Sequence, residues 1–101
     1  MADDPSTPAV NEAWLTPGSI AEFMGAPGKP QDLERALELA RNAAQRALGQ
    51  PIPEQIPFPL AQGIKLLASK LLLSNRLEDE VAPADIPLVV RYYFRLAGAQ
   101  G

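Results

Sequence analysis

Few side chains in this sequence are equipped for chemistry. The densest carboxylates are Glu78-Asp79-Glu80. A calcium-type site needs oxygen ligands spaced around a turn, with a glycine at its sharpest point, and this run has neither. A solvated acidic loop is the simpler reading. Glu34 and Glu38 fall on one helical face, where pairing with Arg35 and Arg41 explains them better than shared acid–base work. Ser69, Ser74 and Thr16 carry hydroxyls, but the chain has no histidine to activate them. It has no cysteine either, which removes thiolate nucleophiles, disulfides and every Cys/His metal site. Lys65 or Lys70 would need a dry pocket to act as a base. Gly25-Ala26-Pro27-Gly28-Lys29 lacks the spacing and the following Ser or Thr of a phosphate-cradling loop. No enzyme, metal or cofactor is expected.

What remains is chemistry of contact. Arg91-Tyr92-Tyr93-Phe94-Arg95 mixes cations with aromatics, a combination that stacks on nucleic-acid bases. On a helix the simpler reading puts Tyr93 and Phe94 in the core and both arginines, four residues apart, on one outer face. Trp14 reads as a packed anchor at the start of the fold, with an exposed partner anchor as the alternative.

These residues need a scaffold, and 101 residues allow one small domain. Residues 1–13 are polar and aperiodic and read as a flexible arm. Thr16-Pro17 marks a helix start, with Thr16 as N-cap and Gly25 as the stop. Residues 31–48 are the clearest amphipathic helix, with Leu33, Leu37, Ala40, Ala44 and Leu48 on one face and Gly49 as its cap. Ala43-Ala44 and Ala47 permit close approach of another helix. Residues 50–59 contain Pro51, Pro53, Pro57 and Pro59 and read as an extended connector. Residues 59–77 form the second long helix, with a wide stripe from Leu60, Ile64, Leu67, Ala68, Leu71 and Leu72. A last helix begins near Asp85, its expected N-cap, and ends at Gly98. The fold class is all-α: three or four helices joined by proline-rich connectors. The boundaries are an arm over 1–13, a helical domain over 14–97 and a tail over 98–101. No stretch is long and apolar enough to span a bilayer, and the N-terminus does not read as a secretory signal, so a soluble protein is expected.

The net charge of −3 conceals segregation. Residues 59–77 carry Lys65, Lys70 and Arg76 and no acid, a block of +3. Residues 78–85 form a block of −4, and residues 86–101 a block of +2. Alternating patches suit complementary contacts between unlike surfaces, while the plain reading is a set of solvated faces.

Three features resemble a known family, the small head–tail connector or adaptor proteins of long-tailed bacteriophages and prophages. The first is Leu15-Thr16 with Ile20-Ala21-Glu22-Phe23-Met24, followed by a helix closing as Ala43-Ala44-Gln45-Arg46-Ala47-Leu48-Gly49. The second is the proline-led run from Pro57 to Ala68, ending at Asn75-Arg76. The third is Ile86-Pro87-Leu88-Val89-Val90-Arg91-Tyr92-Tyr93. The likeness is one of element order and covers about four-fifths of the chain by the extent of these runs. It implies a structural virion protein, located at the neck of the particle and in the host cytoplasm during assembly. Such proteins form a homo-oligomeric ring, typically of twelve copies, between the portal and a head-closure or stopper protein. The ring extends the DNA channel, with non-specific contact to packaged DNA. The small-residue face of 31–48 and the stripe of 59–77 are the expected ring surfaces. Candidate interface residues are Trp14, Arg41, Lys65, Lys70, Arg76, Glu78, Glu80, Arg91, Tyr92 and Arg95. The alternative is a small helical DNA-binding or regulatory module.

Overall fold

A computed structural model describes residues 9–10, 12–25, 28–78 and 80–100. The protein is a small all-α bundle. Its helices are α1 (Pro17–Met24), α2 (Pro30–Leu48), α3 (Phe58–Ser74) and α4 (Leu88–Gln100). Short 3₁₀ turns cover Glu12–Leu15 and Pro83–Asp85, and β1 (Ala9–Val10) pairs antiparallel with β2 (Ile56–Pro57).

Local chemistry sets the helix ends. The Ser19 backbone N–H donates to Thr16 Oγ1 at 3.1 Å, and the Thr16 N–H donates to Ser19 Oγ at 3.0 Å. This closes a reciprocal cap over Pro17 at the first helical position. Gly25 and Gly49 end α1 and α2 with φ of 71° and 74°, a left-handed geometry that glycine adopts without a Cβ clash. In α2, Asp32 lies in the first turn and Arg46 in the last, each opposing the helix dipole.

The later boundaries differ from those the periodicity predicts. Helix α3 stops at Ser74 rather than 77. Asn75 turns left-handed at φ 55°, and the Arg76 N–H donates back to Leu71 O at 3.0 Å. Helix α4 starts at Leu88, so Asp85 is not its cap. Pro87 disfavours helical geometry at Ile86, and the first helical bond runs from the Arg91 N–H to Pro87 O at 3.0 Å. Gly98 does not end α4, which runs on through Gln100. Gly98 keeps a helical backbone, and an added Cβ there would make only an ordinary 3.7 Å contact with the Leu48 side chain. The expected tail over 98–101 is therefore helical as far as residue 100, and residue 101 lies outside the described residues.

Most of the arm expected over 1–13 also lies outside the described residues. Its described part is structured. Ala9 pairs with Pro57 and Val10 with Ile56, and the 3₁₀ turn begins at Glu12. The proline connector supplies the other half of this pairing, and Ile56 is fully buried.

Helix α3 is the centre of the core. Leu60, Ala61, Ile64, Leu67, Ala68 and Leu71 are all buried, leaving only a narrow solvent strip. Helix α2 sets Ala36, Ala40, Ala43 and Ala44 inward, between 0% and 2% exposed. Alanines bring helix axes together, so the α2–α3 contact is close and extensive. From the other side α4 contributes Val90, Phe94 and Ala97. Of the two surfaces expected to form a ring contact, Ala43, Ala44 and the stripe of α3 are used in this chain's own core, while Ala47 stays exposed.

Candidate functional site

The ten candidate residues separate into three groups and one outlier. In the first, Lys65 is buried and Trp14 is half-buried against the core. The Trp14 ring meets Phe58 edge-on, with centroids 5.3 Å apart at 74°. Lys65 is only 9% exposed, and its Nζ sits 4.0 Å from the Trp14 ring centroid and 5.7 Å from that of Phe23. A quadrupole face compensates part of the desolvation of an ammonium placed over it. Burial still holds the Lys65 pKa below its ordinary 10.5, with the Glu22 carboxylate partly opposing the shift. Lys65 is therefore not a surface charge, and its place among the interface candidates is corrected. Burial draws its aliphatic stem onto the core and its head under Trp14.

This arrangement has a signed pH consequence. A lysine depressed in the folded state leaves the unfolded chain holding more protons between the two pKa values. Stability therefore rises with pH across that interval and levels off above 10.5. Lys65→Met removes the titration, so the rise in urea midpoint as pH approaches 10.5 is expected to be shallower in the variant. Equal pH slopes in the two proteins would contradict the assignment.

The second group surrounds the connector between α3 and α4. Arg35 Nε donates to Leu77 O at 2.9 Å and its Nη2 to Glu78 O at 3.2 Å. Arg46 Nη2 donates to Val81 O at 2.7 Å, while its Nη1 pairs with Glu80 at 3.4 Å. Arg76 pairs with Asp85 at 3.5 Å, and Arg91 Nη2 donates to Ala84 O at 3.1 Å. Four guanidinium groups thus hold one irregular segment that has little backbone pairing of its own. Their planar, multi-donor heads suit carbonyls that no helix satisfies. Lys70 lies exposed beside this segment and lines a recess with Arg76, Glu78, Glu80 and Asp85. Within the acidic block, the Glu80 and Asp85 carboxylates are met by arginines of the same chain, while Arg35 bonds only the backbone carbonyl of Glu78. Asp79 lies outside the described residues, and no group of three metal-ligating side chains converges among those described.

Arg46→Ala is expected to lower stability by about 1–2 kcal/mol, because a charge-assisted bond to a half-buried carbonyl is lost. Faster amide exchange confined to residues 76–87 would accompany it. Uniform loss of protection across all helices would show instead that the segment does not move alone.

The third group is the outer face of α4. Arg91, Tyr92 and Arg95 are all exposed there. Leu88 and Val89, absent from the sequence-derived candidates, share that face at 80% and 53% exposure, with Tyr92 at 56%. The signal for them was the helical step from Val90 to Phe94 and Ala97. Once those three face inward, Leu88 and Tyr92 must face outward. Beside this face lies an open groove of about 750 Å³, floored by Leu48, Ile86 and Phe94 and edged by Arg91 and Arg95. Arg41 is the outlier. It sits half-buried on α2 in a separate groove with Glu34 and Glu38.

The fold and surface define a small four-helix protein in which four arginines brace its own connector and whose last helix shows an apolar, basic face. The chain matches no protein-family model, no curated protein and no solved structure. None of its described helices is long and apolar enough to cross a membrane.

Proposed function

We propose that this chain is a structural subunit of a head–tail connector. Copies of it form a ring between the portal and a head-closure or stopper protein of a long-tailed phage, and the ring extends the channel for DNA. Its site of action is then the neck of the virion. The observation that carries this reading is the exposed α4 face, where Leu88, Val89 and Tyr92 stand beside Arg91 and Arg95. Apolar and aromatic groups flanked by arginine favour protein contact over isolated exposure. The order of helices and the resemblance in the three sequence runs support the same reading. The role is one of assembly geometry, with the arginines available for non-specific contact with passing DNA.

Two measurements test it. Light scattering over a concentration series reports whether free copies associate. Co-sedimentation with portal rings of the same phage reports binding in its assembly setting. Retention on portal rings is expected, and no retention under assembly conditions would overturn the proposal.

A further inference from the structure

We propose that the outer face of α4 in one copy docks into the α1–α2 groove of a second copy, Arg95 meeting Glu34. The inference deepens the connector reading and rests on it, because it names the contact that would join neighbours in the ring.

The groove runs along α2 where α1 begins. Pro17 and Leu37 line it, Glu34 and Glu38 edge it, and Arg41, Asn42 and Gln45 lie further along, around a volume of about 290 Å³. The α4 face offers a helical series of Leu88, Tyr92 and Arg95 at steps of four and three. That series covers roughly 10 Å of helix and the groove from Glu34 to Gln45 roughly 16 Å, so the face fits along the groove. An amphipathic helix laid into an apolar groove is a recurrent mode of recognition, and an exposed tyrosine is a suitable anchor.

Charge gives the direction. Within the subunit, Glu38 is already met by Arg35 at 2.8 Å. Arg91 already donates to Ala84 O. Arg41 also has an interaction within the chain. Arg95 and Glu34 are exposed and have no such interaction among the described residues. One cation on the α4 face and one anion on the groove edge are therefore left over, and a second copy supplies each with its complement. The two surfaces share no residue. A contact between unlike patches of identical chains is head to tail, which closes into a ring or continues as a filament. An isologous dimer through α4 alone would instead bring Arg91 and Arg95 of both copies together.

The absence of cysteine makes the test specific. Tyr92→Cys and Asn42→Cys are prepared singly and together, and joined with a short bis-maleimide, both free and on portal rings. The double variant is expected to give a ladder of oligomers. An equimolar mixture of the single variants should give dimers, and each single variant alone should give none. Arg95→Glu should reduce the ladder about tenfold, equivalent to about 1.4 kcal/mol of contact energy. Adding Glu34→Arg to it should restore the yield.

Dimers from Tyr92→Cys alone would overturn the proposal in favour of an isologous contact. An unchanged ladder in Arg95→Glu would overturn the charge pairing. Retention on portal rings without any ladder would overturn this contact and leave the connector reading standing. A ladder without retention on portal rings would keep the contact and overturn the connector reading. Binding of Arg95 to duplex DNA, lost in Arg95→Glu and unaccompanied by any ladder, would overturn it in favour of the DNA-binding alternative.

Discussion

Gly63→Val is expected to destabilise the protein by about 3 kcal/mol, the upper end for forcing extra atoms into a packed core. A Cβ at Gly63 would lie 2.8 Å from Phe94 Cε1, 3.0 Å from Phe94 Cδ1 and 3.1 Å from Tyr93 Cβ. Phe94 is 4% exposed and floors the open groove beside α4, so relief requires its ring to leave the core toward that groove or α4 to move away from α3, which uncovers Val90 and Ala97 as well. Gly63→Ala sets two effects against each other. Alanine favours the helix by about 1 kcal/mol over glycine, while its methyl meets the same ring. A smaller loss is expected there than for valine. Urea unfolding followed by circular dichroism checks both, and an unchanged midpoint in Gly63→Val would show that α4 does not approach α3 so closely.

Trp14→Ala is expected to cost about 2–4 kcal/mol, somewhat less than for a fully buried tryptophan because Trp14 is half-buried. The substitution removes the edge-to-face contact with Phe58 and the ring over the Lys65 ammonium. The hydrogen bond from Ser19 Oγ to the Trp14 backbone carbonyl, at 2.6 Å, is retained in alanine, so the loss comes from the ring alone. The loss should be coupled to Lys65. Without Trp14 the ammonium gains access to water, so Lys65→Met in the Trp14→Ala background should change stability differently from Lys65→Met alone. A coupling of about 0.5 kcal/mol or more is expected for a cation resting on a ring face. Additive losses would show that Trp14 and Lys65 do not interact. Trp14 is the only tryptophan, so its fluorescence in the intact protein reports this corner of the fold directly.

Much of the scaffold was legible because it rests on local rules. Thr16 with Pro17, Gly25 and Gly49 act through their own backbone and their immediate neighbours, and the structure places each where its chemistry predicts. The repeat of Leu33, Leu37, Ala40 and Ala44 gives α2 its buried side in the same way. The end of α3 was less legible, because Asn75 is a weaker left-handed signal than glycine and the apolar pattern continues to Leu77. Gly98 was misleading. Glycine ends a helix when its φ turns positive, as at Gly25 and Gly49, but the backbone at Gly98 stays helical and α4 continues through Gln100.

The candidate surface was legible only in part. Arg91 and Arg95 share a face by their spacing and Tyr92 is a candidate beside them, but Leu88 and Val89 carry no such signal. Lys65 looked like part of a basic patch because linear charge cannot show that Trp14 and Phe23 come to cover its ammonium. The blocks of opposite charge suggested contacts between subunits. Folding brings Arg35, Arg46, Arg76 and Arg91 together around the connector, where Arg46 and Arg76 meet the Glu80 and Asp85 carboxylates and the others bond backbone carbonyls.

The sequence by itself determined that the chain forms helices with defined caps and has neither histidine nor cysteine chemistry, because composition and short-range periodicity decide those properties. The tertiary structure alone decided which of its apolar and charged faces remain outward. Burial and pairing depend on residues such as Arg35 and Leu77, or Trp14 and Lys65, that lie tens of positions apart and meet only once the helices pack. The net charge of −3 says nothing of this, whereas the fold sets Arg95 and Glu34 on separate surfaces with no partner among the described residues.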